Sequence, residues 1–120
     1  LAVLKAVIAG DVLNLVGYRL RPYELHQGAT NVAVDECKGI LYQALGERTS
    51  FVRALIRCRS VLDAVEVDRL QPKPKVSVIG EFWAMTTEGD GNYRLQTFLE
   101  SEGAEVDIQP VTAWVLYNIW

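Results

Sequence analysis

The residues most able to do chemistry sit in one stretch, Gly80-Glu81-Phe82-Trp83-Ala84-Met85-Thr86-Thr87-Glu88-Gly89-Asp90-Gly91-Asn92. It follows a short apolar run and precedes a helical pattern, so it reads as a strand-to-helix loop. In open α/β sheets ligands bind beyond the carboxyl ends of the strands. A connection of about a dozen residues exceeds the usual length of roughly two to six, and long loops at that edge tend to carry function. Gly89 and Gly91 permit close backbone approach. A helix starting at Asn92 would offer N–H groups and a positive dipole end to an anion. Other features oppose this. Gly89-Asp90-Gly91-Asn92-Tyr93-Arg94 lacks the third glycine of the dinucleotide fingerprint, and no Walker pattern occurs. Glu81, Glu88 and Asp90 would repel a phosphate. Two readings stand: a ligand or domain-contact loop using Gly80, Glu81, Gly89, Gly91 and Asn92, or a surface loop with turn glycines.

A second constellation is Asp11 with the turn Arg21-Pro22-Tyr23-Glu24. Asp11 falls on an apolar helical stripe, where a carboxylate is costly unless paired. Arg19, Arg21 and the Tyr18 hydroxyl are the nearby partners. The structural reading is an ion pair that fixes an ordered turn, docking the first helix onto the α/β part. As a catalytic acid Asp11 would have no nucleophile or histidine beside it, and no catalytic residue is assigned. Cys37 and Cys58 lie on apolar helical faces and read as small core hydrophobes, with metal ligation the alternative. His26, between Leu25 and Gln27, reads as an exposed or capping side chain rather than a proton shuttle. Trp114, Tyr117 and Trp120 recur at three-residue spacing and suit packing better than base stacking.

Composition narrows the classes. The chain has 120 residues, half of them hydrophobic, and a net charge of −3 from 12 basic and 15 acidic side chains. A nucleic-acid surface driven by bulk positive charge is therefore not expected. Two cysteines and one histidine cannot fill a structural zinc or iron–sulfur site, which needs about four ligands, so no metal site is assigned. The first 18 residues are apolar but are interrupted by Lys5 and Asp11, and they lack the basic start and cleavage site of a signal peptide. No stretch reaches the roughly 18 apolar residues of a membrane span. Cysteine usage suits the cytoplasm. The start at Leu1 and the apolar end at Trp114–Trp120 read as a piece of a longer protein.

The elements that must position these residues follow from periodicity. Leu4, Val7, Ile8, Asp11, Leu15 and Tyr18 recur at helical spacing, and Pro22 ends that helix. A second helix begins at Thr30 or Asn31 as cap, with Ala33, Cys37, Ile40, Leu41 and Ala44 inward and Gly46 as its stop. A third is capped by Ser50 and buries Phe51, Ala54, Leu55, Cys58, Leu62 and Val65. Residues 1–67 form a helical segment and 68–74, with Pro72 and Pro74, a linker. Residues 75–120 form an incomplete βαβ(α) segment. Lys75-Val76-Ser77-Val78-Ile79-Gly80 is β-branched and reads as a buried parallel strand. Asn92 caps a helix reaching Glu102, with Leu95, Phe98 and Leu99 inward. Ala104 to Ile108 is a second strand with Val106 and Ile108 on one face. Another helix starts at Pro110 or Thr112. The fold class is thus α/β: N-terminal helices followed by part of a Rossmann- or flavodoxin-like parallel sheet. A two-stranded sheet is marginal alone, so a homodimer or cover from the first three helices is expected.

Two blocks carry a family resemblance. The first is Gly10-Asp11, Tyr18-Arg19-Leu20-Arg21-Pro22-Tyr23-Glu24 and Gly28-Ala29-Thr30. The second is Lys73-Pro74-Lys75-Val76-Ser77-Val78-Ile79-Gly80-Glu81, Asn92-Tyr93-Arg94-Leu95, Leu99-Glu100 and Gly103-Ala104-Glu105-Val106. Their order resembles proteins related to the activator and dehydratase components of the 2-hydroxyglutaryl-CoA dehydratase and benzoyl-CoA reductase system, over roughly residues 8 to 110. The resemblance implies ATP-driven, low-potential electron delivery through an iron–sulfur cluster to a CoA-thioester dehydratase. These residues contain no cysteine cluster, no activase-type phosphate motif and no partnered general base. The expectation is that cluster and ATP belong to the remaining modules of the parent protein. This segment is then a structural and interaction part of a dehydratase-like module. The alternative is an autonomous small-molecule or CoA-ester binding module using the Glu81–Asn92 loop.

Overall fold

The structure is a computed structural model, and it describes residues 2–46, 50–83 and 89–120. Among these, five α-helices and one small sheet make a mixed α/β, mostly helical molecule. The order is α1 (Ala2–Leu20), a 3-10 turn (Arg21–Tyr23), α2 (Ala29–Gly46), α3 (Phe51–Asp63), β1 (Lys75–Val78), a second 3-10 turn (Asp90–Asn92), α4 (Leu95–Ser101), β2 (Glu105–Ile108) and α5 (Val111–Ile119).

Apolar rows on α1, α2 and α3 build the larger cluster. Ala9 and Leu13 meet Cys37, Ile40, Leu41, Ala44, Ala54 and Cys58, with Phe51, Val61 and Leu62 at the margin. The expected stripe of α2 is buried in full. α1 packs on α2 at Gly17, where a Cβ would meet Val34 Cγ2 at 3.4 Å, an ordinary van der Waals contact. On α3 the buried pair is Ala54 and Cys58, while Leu55 is exposed and the helix ends at Asp63, short of Val65.

α1 departs from expectation. Leu4, Val7 and Ile8 are exposed, and the buried positions are Ala9, Asp11, Leu13, Gly17, Tyr18 and Leu20. The helix is apolar on nearly every side, so spacing alone cannot say which rows find a partner. Two rows do. Ala9, Leu13 and Gly17, four residues apart, form one ridge, and the first two join the helical cluster. Tyr18, seven residues beyond Asp11, joins a second cluster with Val106 and Ile108, flanked by Val78 and Leu99.

β1 and β2 are parallel, with Lys75 opposite Glu105 and Val78 opposite Ile108. Val106 and Ile108 alternate inward as expected. β1 is shorter than the apolar run, stopping at Val78 with Ile79 outside and exposed. α4 is also shorter than expected. Tyr93 and Arg94 are both left-handed, at φ 56° and 55°, so the helix starts at Leu95 instead of after Asn92. Its inward side chains are Gln96, which is fully buried, and Leu99, which packs on the second cluster as expected, while Leu95 and Phe98 face outward. Gly103, at φ 89°, ends α4, and the Ala104 N–H returns to the Leu99 carbonyl at 3.0 Å.

Candidate functional site

The 21–24 turn is the point where the elements meet. Pro22 stops α1, since its ring fixes φ and removes a donor. Each neighbouring side chain then reaches a different element. Arg21 Nη1 lies 3.4 Å from Glu100 Oε2 on α4, and its guanidinium stands 5.6 Å from the centre of the Tyr18 ring. The Tyr23 hydroxyl donates to Glu105 Oε2 on β2 at 2.8 Å. Glu24 accepts N–H bonds from Gly28 at 2.6 Å and Thr30 at 2.8 Å, capping α2 from outside the helix. Backbone bonds complete the turn: Asp68 N–H to Tyr23 O, Leu25 N–H to Glu66 O, and a bridge between Glu24 and Val67.

Asp11 is buried, but its partner differs from the one expected. Its carboxylate accepts the Val111 N–H at 3.3 Å and the Thr112 N–H at 2.6 Å, so it caps α5. Arg21 faces Glu100 instead. The reason is geometric. Ten residues of helix separate Asp11 from Arg21 by roughly 15 Å of rise, and a carboxylate on the inner face of α1 meets the positive end of α5 first.

The loop is described at its two ends only; Glu88, with Ala84 to Thr87, lies outside the described residues. Gly80 and Glu81 are exposed just past β1. Phe82 packs edge-on against Trp83, with ring centres 5.2 Å apart, and lies 4.5 Å from Trp114 of α5. At the far end Gly89 turns the chain at φ 121°, and its carbonyl accepts the Arg94 N–H at 2.8 Å. Gly91 lies exposed in the second 3-10 turn. Asn92 is buried and does not cap α4; its Nδ2 donates to Gln96 Oε1 at 2.6 Å. The glycines therefore do not sit on the first turn of α4, as an anion cradle there would require.

Cys37 and Cys58 face each other across α2 and α3. Each thiol points at the other's carbonyl, at 3.5 and 3.6 Å. Burial, then contact with Cys58, pushes the Cys37 thiol up to about 12. A thiol held protonated in this way, as Cys37 is, makes a poor nucleophile and a poor metal ligand. Among the described residues no group of three His, Cys, Asp or Glu side chains is placed to hold a metal. No described helix is long and apolar enough to cross a membrane. His26 lies 3.4 Å from Glu66 at the surface.

Sequence reasoning missed the Glu24 cap, the Tyr23–Glu105 bond, the Asp11–α5 cap and the buried Gln96. Glu24 lies outside the usual capping window. The Tyr23–Glu105 and Asp11–Thr112 pairs are separated by 82 and 101 residues, beyond any local signal. Gln96 alone had a local one, four residues after Asn92.

Set against family models, curated proteins and solved structures, the chain finds no match in any of the three.

Proposed function

We propose that the chain is a structural and interaction part of a protein related to the 2-hydroxyacyl-CoA dehydratase activators. In this reading residues 75–120 open a Rossmann- or flavodoxin-like sheet. The observation that carries the reading is a parallel strand–helix–strand unit with unfinished apolar cover. Ile79 and Trp83 beside the carboxyl end of β1, and Leu116, Tyr117 and Ile119 on α5, are all exposed. Large exposed apolar patches mark contact surfaces, and two strands alone make a marginal sheet. The resemblance of the two sequence blocks supplies the family. Iron–sulfur and ATP chemistry then belong to the remaining modules of the parent, and this segment contributes packing and contact surface.

The test is the full-length gene product, purified without oxygen. It should contain iron and sulfide and should couple ATP hydrolysis to electron transfer onto a viologen dye. A full-length product with neither iron nor ATP-dependent electron transfer would overturn the reading. A second reading, a CoA-ester binding module at the Glu81–Asn92 loop, is favoured by the aromatic wall of Phe82, Trp83 and Trp114. Thermal denaturation with ATP, CoA and acetyl-CoA separates the two. A ligand at about 100 times its Kd stabilises by about 2.7 kcal/mol. The interaction-part reading expects no shift from this chain alone.

A further inference from the structure

A cleft of about 540 Å³ opens between the end of α1, the first 3-10 turn, the segment preceding β1, and the first residues of both strands. It lies at the amino ends of the strands, the edge opposite the Glu81–Asn92 loop. Three cationic side chains line it, Arg19, Arg69 and Lys75, against one carboxylate, Glu105. This local positive excess stands in a chain whose net charge is −3.

Glu105 is already engaged. Its Oε2 accepts the Tyr23 hydroxyl at 2.8 Å, and its Oε1 lies 3.1 Å from Lys75 Nζ. Arg19 acts on Glu105 through its field. Neither Arg19 nor Arg69 has a hydrogen-bond partner among the described residues. Two guanidinium forks on one cleft suit a planar or tetrahedral oxyanion, which each can bind through paired N–H groups. The opposite character is present as well: Val16, Leu20 and Pro72 give the cleft an apolar wall. We propose that this cleft binds a small organic anion, with its carboxylate or phosphate head on Arg19 and Arg69 and its apolar body against Val16, Leu20 and Pro72.

Calorimetric titration of the chain with phenyl phosphate, benzoate and inorganic phosphate tests this. At least one aromatic anion should bind, and more tightly than inorganic phosphate. A preference between phenyl phosphate and benzoate identifies the head group. Charge-assisted hydrogen bonds of this kind imply that Arg19→Gln and Arg69→Gln each weaken binding by about 10- to 100-fold. Both arginines are exposed, so the denaturant midpoint of each variant should stay at that of the parent chain. The proposal is overturned if none of the three probes binds, or if the double variant binds as tightly as the parent. It is also overturned if inorganic phosphate binds as tightly as phenyl phosphate, which would leave the apolar wall without a role.

Discussion

Glu24 and Glu105 each hold two groups with one carboxylate: Glu24 the N–H groups of Gly28 and Thr30, Glu105 the Tyr23 hydroxyl and the Lys75 ammonium. Burial pushes the Glu24 carboxyl up, but the N–H bonds from Gly28 and Thr30 and the charge of Arg21 outweigh it. Its folded value therefore lies below the ordinary 4.5. Glu105 follows the same balance, with burial opposed by the Tyr23 hydroxyl and Lys75. Both groups bind protons less readily folded than unfolded, so their stabilisation is complete above the ordinary glutamate value. It is lost as pH falls through their lower folded values. The denaturant midpoint should therefore decline below about pH 4.5, and Glu24→Gln with Glu105→Gln should flatten that decline. An unchanged slope in the double variant would refute the assignment. At neutral pH, Glu24→Ala should cost about 0.5–2 kcal/mol, as other lost caps do. The thiols make a separate prediction. A raised Cys37 pKa and burial of both sulfurs mean that a thiol reagent at about pH 8 should label the native chain only as fast as it opens. Rapid labelling of the folded protein would contradict the buried pair.

At the scale of elements, α1 is the shared wall of both clusters, and its polar inner residues attach it to the last third of the chain. Asp11→Ala removes the acceptor for two N–H groups at the start of α5 and should cost about 0.5–2 kcal/mol. Amide exchange should accelerate in α5 and stay unchanged in α2 and α3. Arg21→Ala removes a charged partner of the largely buried Glu100 carboxylate and should cost about 1.5–3 kcal/mol. Because the two side chains hold different helices, their losses should add in the double variant. Strong coupling would mean that Asp11 and Arg21 share a partner.

Among the described residues, the whole molecule leaves large apolar side chains exposed on α5 and just past β1. Leu116, Tyr117 and Ile119 are each exposed on one short helix that buries no residue of its own. Sedimentation velocity should show concentration-dependent self-association of the isolated chain. Leu116→Lys with Ile119→Lys should reduce it while leaving the denaturant midpoint within about 0.5 kcal/mol of the parent, as surface changes do. A chain that stays monomeric across the accessible concentration range would contradict this.

Local chemistry decided much of this architecture. The buried face of α2, the Ala54–Cys58 row of α3, the proline stop at Pro22, the β-branched character of the run from Lys75, which pairs only as far as Val78, and the alternation of Val106 and Ile108 all act within a few residues of themselves, so they are legible in the chain. The register of burial on α1 is not. Its sides are equally apolar, and only the positions of α2, α3 and β2 select Ala9, Leu13 and Tyr18 over Leu4, Val7 and Ile8. The start of α4 is likewise set by the left-handed Tyr93–Arg94 pair, a conformation for which neither residue has intrinsic preference. The partners of Asp11, Arg21, Tyr23 and Glu24 were open in the sequence for a related reason. A charged side chain takes whichever complementary group the packing brings within about 3 Å, and for Asp11 that group is a helix end some hundred residues away. The sequence alone thus determined the order of helices and strands, and that a strand–helix–strand unit follows three helices, but not where α3, β1 and α4 begin or end. Tertiary packing decided which polar groups meet, because those meetings depend on long-range geometry that no local pattern encodes.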